Sequence, residues 1–292
     1  MSFSQIVKEE LERYIPQNKK SYMSEVLSIL NNVGKVITSD NCTQISIVTE
    51  NVLICKRFYG LIKSIYNESL KINIEKQKKN SKRNLYTVVL SDEKIVYDLV
   101  SKIADIKENI IDNRAYIRGS FLSVGSITDP EKEYHLEFVN AHMKNAEIIQ
   151  TILKEYGILA KIINRKKDYI VYIKESEQIA LLLNVIHAHN SLLKMEDIRI
   201  KKGVINNVNR AVNCETANLM KTVSASIKQA NDIKKIMKAN QFLNLNDGLR
   251  EVASARLNNL EASLQELAET LQVSKSCINH RLRRLSEIAE GL

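Results

Sequence analysis

Apolar and polar positions follow the same pattern twice within about the first 200 residues. Residues 24–62 match residues 115–153 at an offset of 91, so that Leu30 corresponds to Phe121 and Ile47 to Phe138. Past a short gap, residues 87–103 match residues 170–186 at an offset of 83. A match this long predicts an internal duplication, with copies at about 22–104 and 114–188.

Each copy is predicted to contain a mixed set of helices and strands. In the first copy, apolar periodicity predicts helices at about 22–33, 52–66 and 93–104, with Gly34 as the stop signal of the opening helix. The alternating segment ISIVTE predicts a strand, and two edge strands follow near 70–75 and 85–91. The second copy repeats these elements at 114–124, 134–140, 143–156, 160–164, 169–174 and 176–188.

One copy is too small to bury both faces of its sheet. The opening helices also carry small residues that need a packing partner, at Ser28, Gly119 and Ser123. We therefore expect the two copies to form one fused domain, about 1–200, around a pseudo-twofold axis. Two separate similar domains are the alternative.

The C-terminal third is predicted to be helical throughout. From Gly203 onward no segment alternates as a strand would, and two helical stretches form a predicted linker region at 203–245. Gly248 is expected to separate this region from a final unit at 246–292. The asparagine-rich segment NRAVNCETANLMK within the linker region contains either helix caps and turn formers or polar contacts to a partner.

The final unit has the pattern of a helix-turn-helix. Ser263 and Glu266 form a predicted capping box at the start of one helix, and residues 272–274 form a tight turn. Ser274 can cap a second helix, whose inward residues are Ile278, Leu282, Leu285 and Ile288. This arrangement is typical of a DNA-recognition unit.

The outward face of the second helix carries the candidate DNA-binding residues. From Ser274 to Leu285 there are four lysines or arginines and no acid. Arginine can contact phosphate or guanine, asparagine can contact adenine, and serines at a helix start suit a phosphate oxygen. A solvated basic face without a partner is the alternative. The candidates are Ser274, Lys275, Ser276, Asn279, His280, Arg281, Arg283 and Arg284.

A basic hairpin distinguishes the first copy from the second. The first copy is longer by about seven residues, QKKNSKR, and residues 71–83 contain six basic residues and one acid. The hairpin is either a solvated loop or a finger that contacts the DNA backbone. The residues proposed for such contacts are Lys78, Lys79, Lys82 and Arg83.

Composition and charge agree with a folded, cytoplasmic protein that has a polyanionic partner. Of the 292 residues, 44% are hydrophobic and 26% are charged, and the net charge is +9. The four cysteines, at 42, 55, 214 and 277, show neither metal-ligand spacing nor a disulfide framework. No signal peptide and no membrane-spanning run is predicted.

The opening helix of the second copy, YIRGSFLSVGSI, resembles the signature helix of LAGLIDADG homing endonucleases. In that family two such helices pack at a pseudo-twofold axis, and each ends in an acidic metal ligand just before a glycine. Here Val33 and Val124 occupy those two positions, while Asp40, Asp129 and Glu131 lie only in later loops. The resemblance therefore implies a retained scaffold without catalysis, without a metal and without a cofactor.

With the C-terminal segment QVSKSCINHRLRRLSEIAEGL, the whole chain resembles the WhiA family of Gram-positive bacteria. The fold class implied is α+β, a duplicated LAGLIDADG-like domain followed by an all-α helix-turn-helix domain. The function implied is a sequence-specific transcriptional regulator of sporulation or division genes, linked to chromosome segregation and located at the nucleoid. The final domain is similar to region four of sigma factors.

The resemblance also bears on partners. It implies double-stranded DNA, a WhiB-type iron–sulfur protein in actinobacterial relatives, and contact with a sigma factor or RNA polymerase. Two other functions are weighed against promoter control. One is a metal-dependent nuclease, which the two valines disfavour. The other is a nucleoid-associated or protein-interaction factor for cell division with little promoter specificity.

Overall fold

The computed structural model describes residues 1–16, 18–39, 42–66, 71–80 and 83–292. The chain divides into two compact units, Met1–Lys202 and Gly203–Leu292. The first unit is α/β and contains both copies of the duplicated segment. The second unit is helical in the part of the chain that the structure describes.

The first copy is preceded by an N-terminal helix that periodicity did not predict, α1 (Phe3–Arg13), whose Phe3, Val7 and Leu11 are buried. The elements of the copy itself are α2 (Lys19–Val33), β1 (Gly34–Ser39), β2 (Cys42–Thr49), α3 (Val52–Tyr66), β3 (Ile72–Asn80), β4 (Arg83–Leu90) and α4 (Glu93–Ala104). The three predicted helices are confirmed.

The second copy follows a short connecting helix, α5 (Ile106–Asn109), which was also not predicted. Its elements are α6 (Asn113–Val124), β5 (Gly125–Ile127), β6 (Leu136–Asn140), α7 (Met143–Glu155), β7 (Lys161–Arg165), β8 (Asp168–Ile173) and α8 (Ser176–Val185). All six predicted elements of this copy are present.

Each copy also has a strand that the periodicity missed, β1 in the first and β5 in the second. Both strands start at the glycine that ends the preceding helix, so helix and strand join without a separate turn. At Gly34 an added Cβ would lie 2.6 Å from the Leu30 carbonyl oxygen, which explains why a glycine stands at this junction. Most of β1 is exposed and β5 has only three residues, so neither shows the alternation of a half-buried strand.

The sheet register confirms the duplication. The two antiparallel sheets have the orders β1-β2-β4-β3 and β5-β6-β8-β7, which are the same topology. Gly34 lies opposite Ile47, and Gly125 lies opposite Phe138. The next strand places Val88 beside Ile47 and Val171 beside Phe138. The equivalent pairs thus reproduce the sequence offsets of 91 and 83.

The opening helices of the two copies, α2 and α6, pack directly against each other. At Gly119 an added Cβ would lie 2.7 Å from the Glu25 carbonyl oxygen, so only glycine permits this approach. The hydroxyls of Ser28 and Ser120 lie 2.8 Å apart across the contact. Ser123 is half-buried and donates its hydroxyl to the Gly119 carbonyl of its own helix.

A fully buried ionic cluster joins the two copies. The Glu25 carboxylate accepts hydrogen bonds from Arg57 Nη2 at 2.9 Å and from Arg118 Nε at 2.9 Å. Glu25 has no exposed surface, and Arg57 and Arg118 are 7% and 1% exposed. The Arg118 guanidinium also lies over the Tyr14 ring, 4.5 Å from its centroid. Since Arg57 belongs to the first copy and Arg118 to the second, the cluster links both halves of the unit.

A single long helix, α9 (His189–Lys238), replaces the two helical stretches expected in the linker region. It is followed by a 3₁₀ turn at Phe242–Asn244 and by α10 (Asp247–Asn258). Gly248 was expected to separate the linker region from the final unit, but it lies in the first turn of α10. Asn246 caps that helix by accepting from the backbone N–H of Leu249, which starts the helix before the glycine.

Candidate nucleic-acid interface

The helix-turn-helix consists of α11 (Leu264–Thr270) and α12 (Lys275–Glu290). The predicted capping box is present, with the Ser263 hydroxyl accepting from Glu266 N and the Glu266 carboxylate accepting from Ser263 N. Ser274 caps α12 by accepting from Cys277 N at 3.2 Å. Gln272 provides the left-handed turn residue, with φ of 52°, at a position where glycine is more usual.

The buried side of α12 holds it against the rest of the unit. Its residues Ile278, Leu282 and Leu285 are buried as predicted, in a cluster with Leu267 and Ala268 of α11. The fourth buried position is Ala289 rather than Ile288, which is only half-buried at the edge of the cluster. The same cluster includes residues of α9 and α10, so three helices support the orientation of α12.

The opposite side of α12 is exposed and basic. The structure brings seven of the eight candidate residues together on this exposed side: Ser274, Lys275, Ser276, Asn279, His280, Arg283 and Arg284. The side chains of Arg283 and Arg284 are 81% and 61% exposed. Both side chains therefore face solvent.

Arg281 differs from the other seven candidates. Its side chain is half-buried, and Nη1 donates to the Gly248 carbonyl oxygen of α10 at 3.3 Å. Glu251 lies 4.0 Å away from the same nitrogen. Arg281 therefore helps to fix α12 against α10.

One acid, Glu287, neighbours the basic face and lies one turn beyond Arg283 and Arg284. Glu287 accepts from Arg284 Nη1 at 2.8 Å and lies 3.7 Å from Arg283 Nε. The hydrogen bond from Arg284 lowers the pKa of Glu287, so this carboxylate is ionised at neutral pH. Because both ion pairs are on the surface, they are weak enough to be exchanged for contacts with a phosphate.

The basic hairpin of the first copy is formed by β3 and β4. Lys78 is exposed and lies opposite Asn84, next to an irregularity in the register between Lys78 and Asn80. Lys79 and Arg83 lie in the strands, but their side chains fall outside the described residues, as does the whole of Lys82.

The two positions that would carry catalytic acids in a nuclease are occupied by apolar, half-buried side chains. Val33 packs against the core of the first copy and Val124 against the core of the second. Asp129 accepts a hydrogen bond from the backbone N–H of Glu131 in the loop after β5, and Asp40 lies outside the described residues. Within the described ranges, no group of three or more histidine, cysteine or acidic side chains could hold a metal ion.

Three domain models of one protein family match most of the chain. Residues 19–104 match the WhiA N-terminal LAGLIDADG-like domain, residues 113–205 the WhiA LAGLIDADG-like domain, and residues 208–289 the WhiA C-terminal HTH domain. A relative in Clostridium beijerinckii, named "Probable cell division protein WhiA", is 43% identical over 100% of this chain and 99% of its own length. The chain belongs to the WhiA family.

Other WhiA family members agree with this assignment. A relative of the same name in Clostridium perfringens is 42% identical over 100% of this chain and 98% of its own length. The crystal structure of a full-length DUF199/WhiA from Thermatoga maritima is similar with a TM-score of 0.64 and 28% identity, covering 100% of this chain and 99% of that one.

The family assignment confirms the fold that the sequence predicted. The chain has the LAGLIDADG-like fold in duplicate, followed by a helix-turn-helix domain of the WhiA type. Among the helices in the described part of the chain, none is both long enough and apolar enough to cross a membrane.

Proposed function

We propose that this chain is a non-catalytic, sequence-specific DNA-binding protein that regulates transcription, with α12 as its recognition helix. The observation that carries the proposal is the exposed face of α12, where seven residues with nucleic-acid-binding chemistry lie together. Ser274 to Leu285 contain four basic residues and no acid. A rigid core under the helix holds this face in one orientation.

The length and the residue order of α12 fit a DNA groove. With 16 residues the helix is roughly 24 Å long, and the major groove of B-DNA is about 12 Å wide, enough to admit one helix. In helix-turn-helix proteins the start of the recognition helix contacts base edges. Asn279 would contact an adenine edge, Arg283 and Arg284 a guanine or a phosphate, and Ser274 and Ser276 a phosphate oxygen.

The cellular role that we propose is control of genes for cell division, chromosome segregation or sporulation. Its support is the name of the clostridial relatives, "Probable cell division protein WhiA". With DNA as its partner, the protein would act in the cytoplasm at the nucleoid. Contact with a WhiB-type protein, a sigma factor or RNA polymerase remains an expectation from the family resemblance, and co-purification from crosslinked cells tests it.

We further propose that the duplicated scaffold binds without cutting. An apolar side chain cannot coordinate a hard cation, and valine stands at both positions where the related nucleases carry acids. The hairpin of β3 and β4, with Lys78, Lys79, Lys82 and Arg83, is the part of the scaffold proposed to follow the DNA backbone.

The second candidate function depends on what the scaffold binds. If the scaffold binds proteins rather than DNA, the chain would be a nucleoid-associated or interaction factor for division with little promoter specificity. Genome-wide crosslinking separates the two functions. A limited set of sharp promoter peaks that disappear in an Arg283→Ala, Arg284→Ala strain supports the regulator. Broad occupancy that survives the double substitution contradicts it.

A further inference from the structure

A cavity in the C-terminal unit is lined by three cations. It has a volume of about 440 Å³ and lies between α9, α10 and the starts of α11 and α12. The cations are Lys221 of α9, Arg256 of α10 and Lys275, the first residue of α12. The remaining lining residues are uncharged, so among the described residues no carboxylate lines the cavity. The charge of its lining is therefore positive, and the Glu266 carboxylate, bonded to the backbone N–H of Ser263, lies next to it.

The most unusual of the three cations is Arg256, which is 2% exposed. Its Nη1 donates to the Ala262 carbonyl oxygen at 2.6 Å and lies 3.5 Å from the Asn259 carbonyl oxygen, whereas its Nε is buried and has no hydrogen-bond partner in the part of the chain that the structure describes. Within the same described ranges no carboxylate comes within ion-pair distance of the guanidinium. Burial lowers the pKa of Arg256, which reflects the cost of holding this charge away from water.

Contacts with neutral oxygens alone do not explain why the residue is an arginine. A carbonyl oxygen accepts a hydrogen bond but does not neutralise a positive charge, and an unpaired buried charge destabilises a fold. The guanidinium is planar and offers five N–H groups in a geometry that matches phosphate and carboxylate oxygens. A bound oxyanion would therefore complete this part of the structure electrostatically.

One uncharged polar group of the cavity also lacks a partner. Gln229 Oε1 is buried without a hydrogen bond in the described chain. Ser226 donates its hydroxyl to the Leu260 carbonyl oxygen, and its oxygen lies 3.5 Å from Arg256 Nη1. The cavity thus offers cations that can bind an oxyanion. It also offers an acceptor, Gln229 Oε1, that can bind a hydroxyl or amine of the same ligand.

We propose that this cavity is a binding site for a small phosphorylated ligand, with the phosphoryl group on Arg256, Lys221 and Lys275. The volume lies in the range of about 300–1,000 Å³ that is usual for small-molecule sites. A phosphate of the DNA backbone is the other source of the same chemistry. The cavity favours a free ligand because Arg256 is almost completely enclosed, whereas a backbone phosphate stays on the outer surface of the duplex.

The site has a consequence for α12 that does not depend on the identity of the ligand. Lys275 belongs both to the cavity and to the exposed face proposed to bind DNA. A ligand that holds Lys275 would change the charge at the start of the recognition helix. The binding site itself rests only on the cavity and its cations, so it can be tested whether or not the chain binds DNA.

The test is isothermal titration calorimetry of the full chain with sodium pyrophosphate and, separately, inorganic phosphate, at constant ionic strength. We expect saturable binding with one site per chain. Lys221→Gln should weaken it about tenfold, which corresponds to about 1.4 kcal/mol. The matched control is Lys228→Gln on the same helix, where the side chain is 66% exposed and does not line the cavity. This control should keep the wild-type affinity.

Arg256→Met should abolish binding, with circular dichroism checking that the variant folds. Lys221 is exposed and contributes nothing to the apolar core, so Lys221→Gln remains informative if Arg256→Met does not fold. Equal affinities of Lys221→Gln and Lys228→Gln would overturn the proposal, since the anion would then bind without using the cavity. Absence of saturable anion binding, with Lys221→Gln weakening DNA binding instead, would also overturn it and identify a backbone contact.

Discussion

Replacing Glu25 by glutamine should strongly destabilise the duplicated unit. Glu25 is completely buried, and it is the carboxylate that Arg57 and Arg118 share. The substitution keeps the size of the side chain but removes its negative charge, so two buried guanidinium groups lose their counter-charge. Breaking a buried pair in this way costs about 3–5 kcal/mol. For a unit of this size, about 2–4 °C per kcal/mol corresponds to a fall in Tm of roughly 6–20 °C.

The assay is thermal unfolding of the full chain, followed by the near-ultraviolet circular dichroism of tyrosines in the scaffold. Glu133→Gln is the control, because Glu133 is exposed and a surface substitution changes stability by about 0.5 kcal/mol or less. Adding Arg118→Met to Glu25→Gln should recover part of the stability, since it removes one unpaired charge. A Glu25→Gln variant as stable as Glu133→Gln would refute the account of the ionic cluster as the link between the copies.

Three further predictions concern DNA binding, catalysis and pH. Deleting residues 77–83 should make the DNA-binding constant less dependent on salt: the slope of its logarithm against the logarithm of salt concentration should fall by about 0.9 for each phosphate that the hairpin neutralises, with unchanged sequence preference. Equal slopes for the deletion variant and the wild type would mean that the hairpin does not touch DNA. Purified protein should not nick duplex DNA with Mg²⁺ or Mn²⁺, and nicking that disappears in Asp129→Ala would reveal a different acidic site. Burial lowers the pKa of Lys8 to about 8. Between this value and its unfolded pKa of about 10.4 the unfolded chain binds more protons, so stability rises with pH there. Lys8→Met should therefore be more stable than wild type at pH 7 in thermal melts, with a smaller difference at pH 10; a constant difference would contradict this.

The periodic elements of the scaffold could be predicted because repetition supplies an internal check. The offset of 91 that pairs Leu30 with Phe121 also relates the strand pairs of the two sheets. Gly34 lies opposite Ile47, and the equivalent Gly125 lies opposite Phe138. Strand β1 escaped prediction because most of its side chains are exposed on an edge. Helix α10 was overlooked because Gly248 suggested an interruption, although Asn246 provides a capping signal that could have located the helix.

Contacts between distant charged residues could not be predicted in the same way. Glu25 and Arg118 are 93 positions apart and become partners only when α2 and α6 cross. Arg256 and Lys221 likewise belong to different helices, and nothing in their local sequence indicates a shared cavity. By contrast, the outward face of α12 could be predicted from the sequence of that helix alone, because the helical repeat determines which of its side chains lie on the same side. Arg281 is the exception, since its contact with Gly248 depends on the position of α10.

Recognition of DNA by the exposed basic face of α12 can be measured in solution. The most direct measurement is fluorescence anisotropy of the full chain with a promoter duplex obtained from crosslinking and with a scrambled duplex, at one fixed salt concentration. The Arg283→Ala, Arg284→Ala variant should bind more weakly by about 1–3 kcal/mol for each arginine, so its specific affinity should fall by at least about 30-fold. Lys234→Ala, Lys238→Ala removes the same charge from exposed positions on α9 and should retain the preference for the promoter duplex. Wild-type affinity and specificity in the Arg283→Ala, Arg284→Ala variant would contradict the assignment of α12 as the recognition helix.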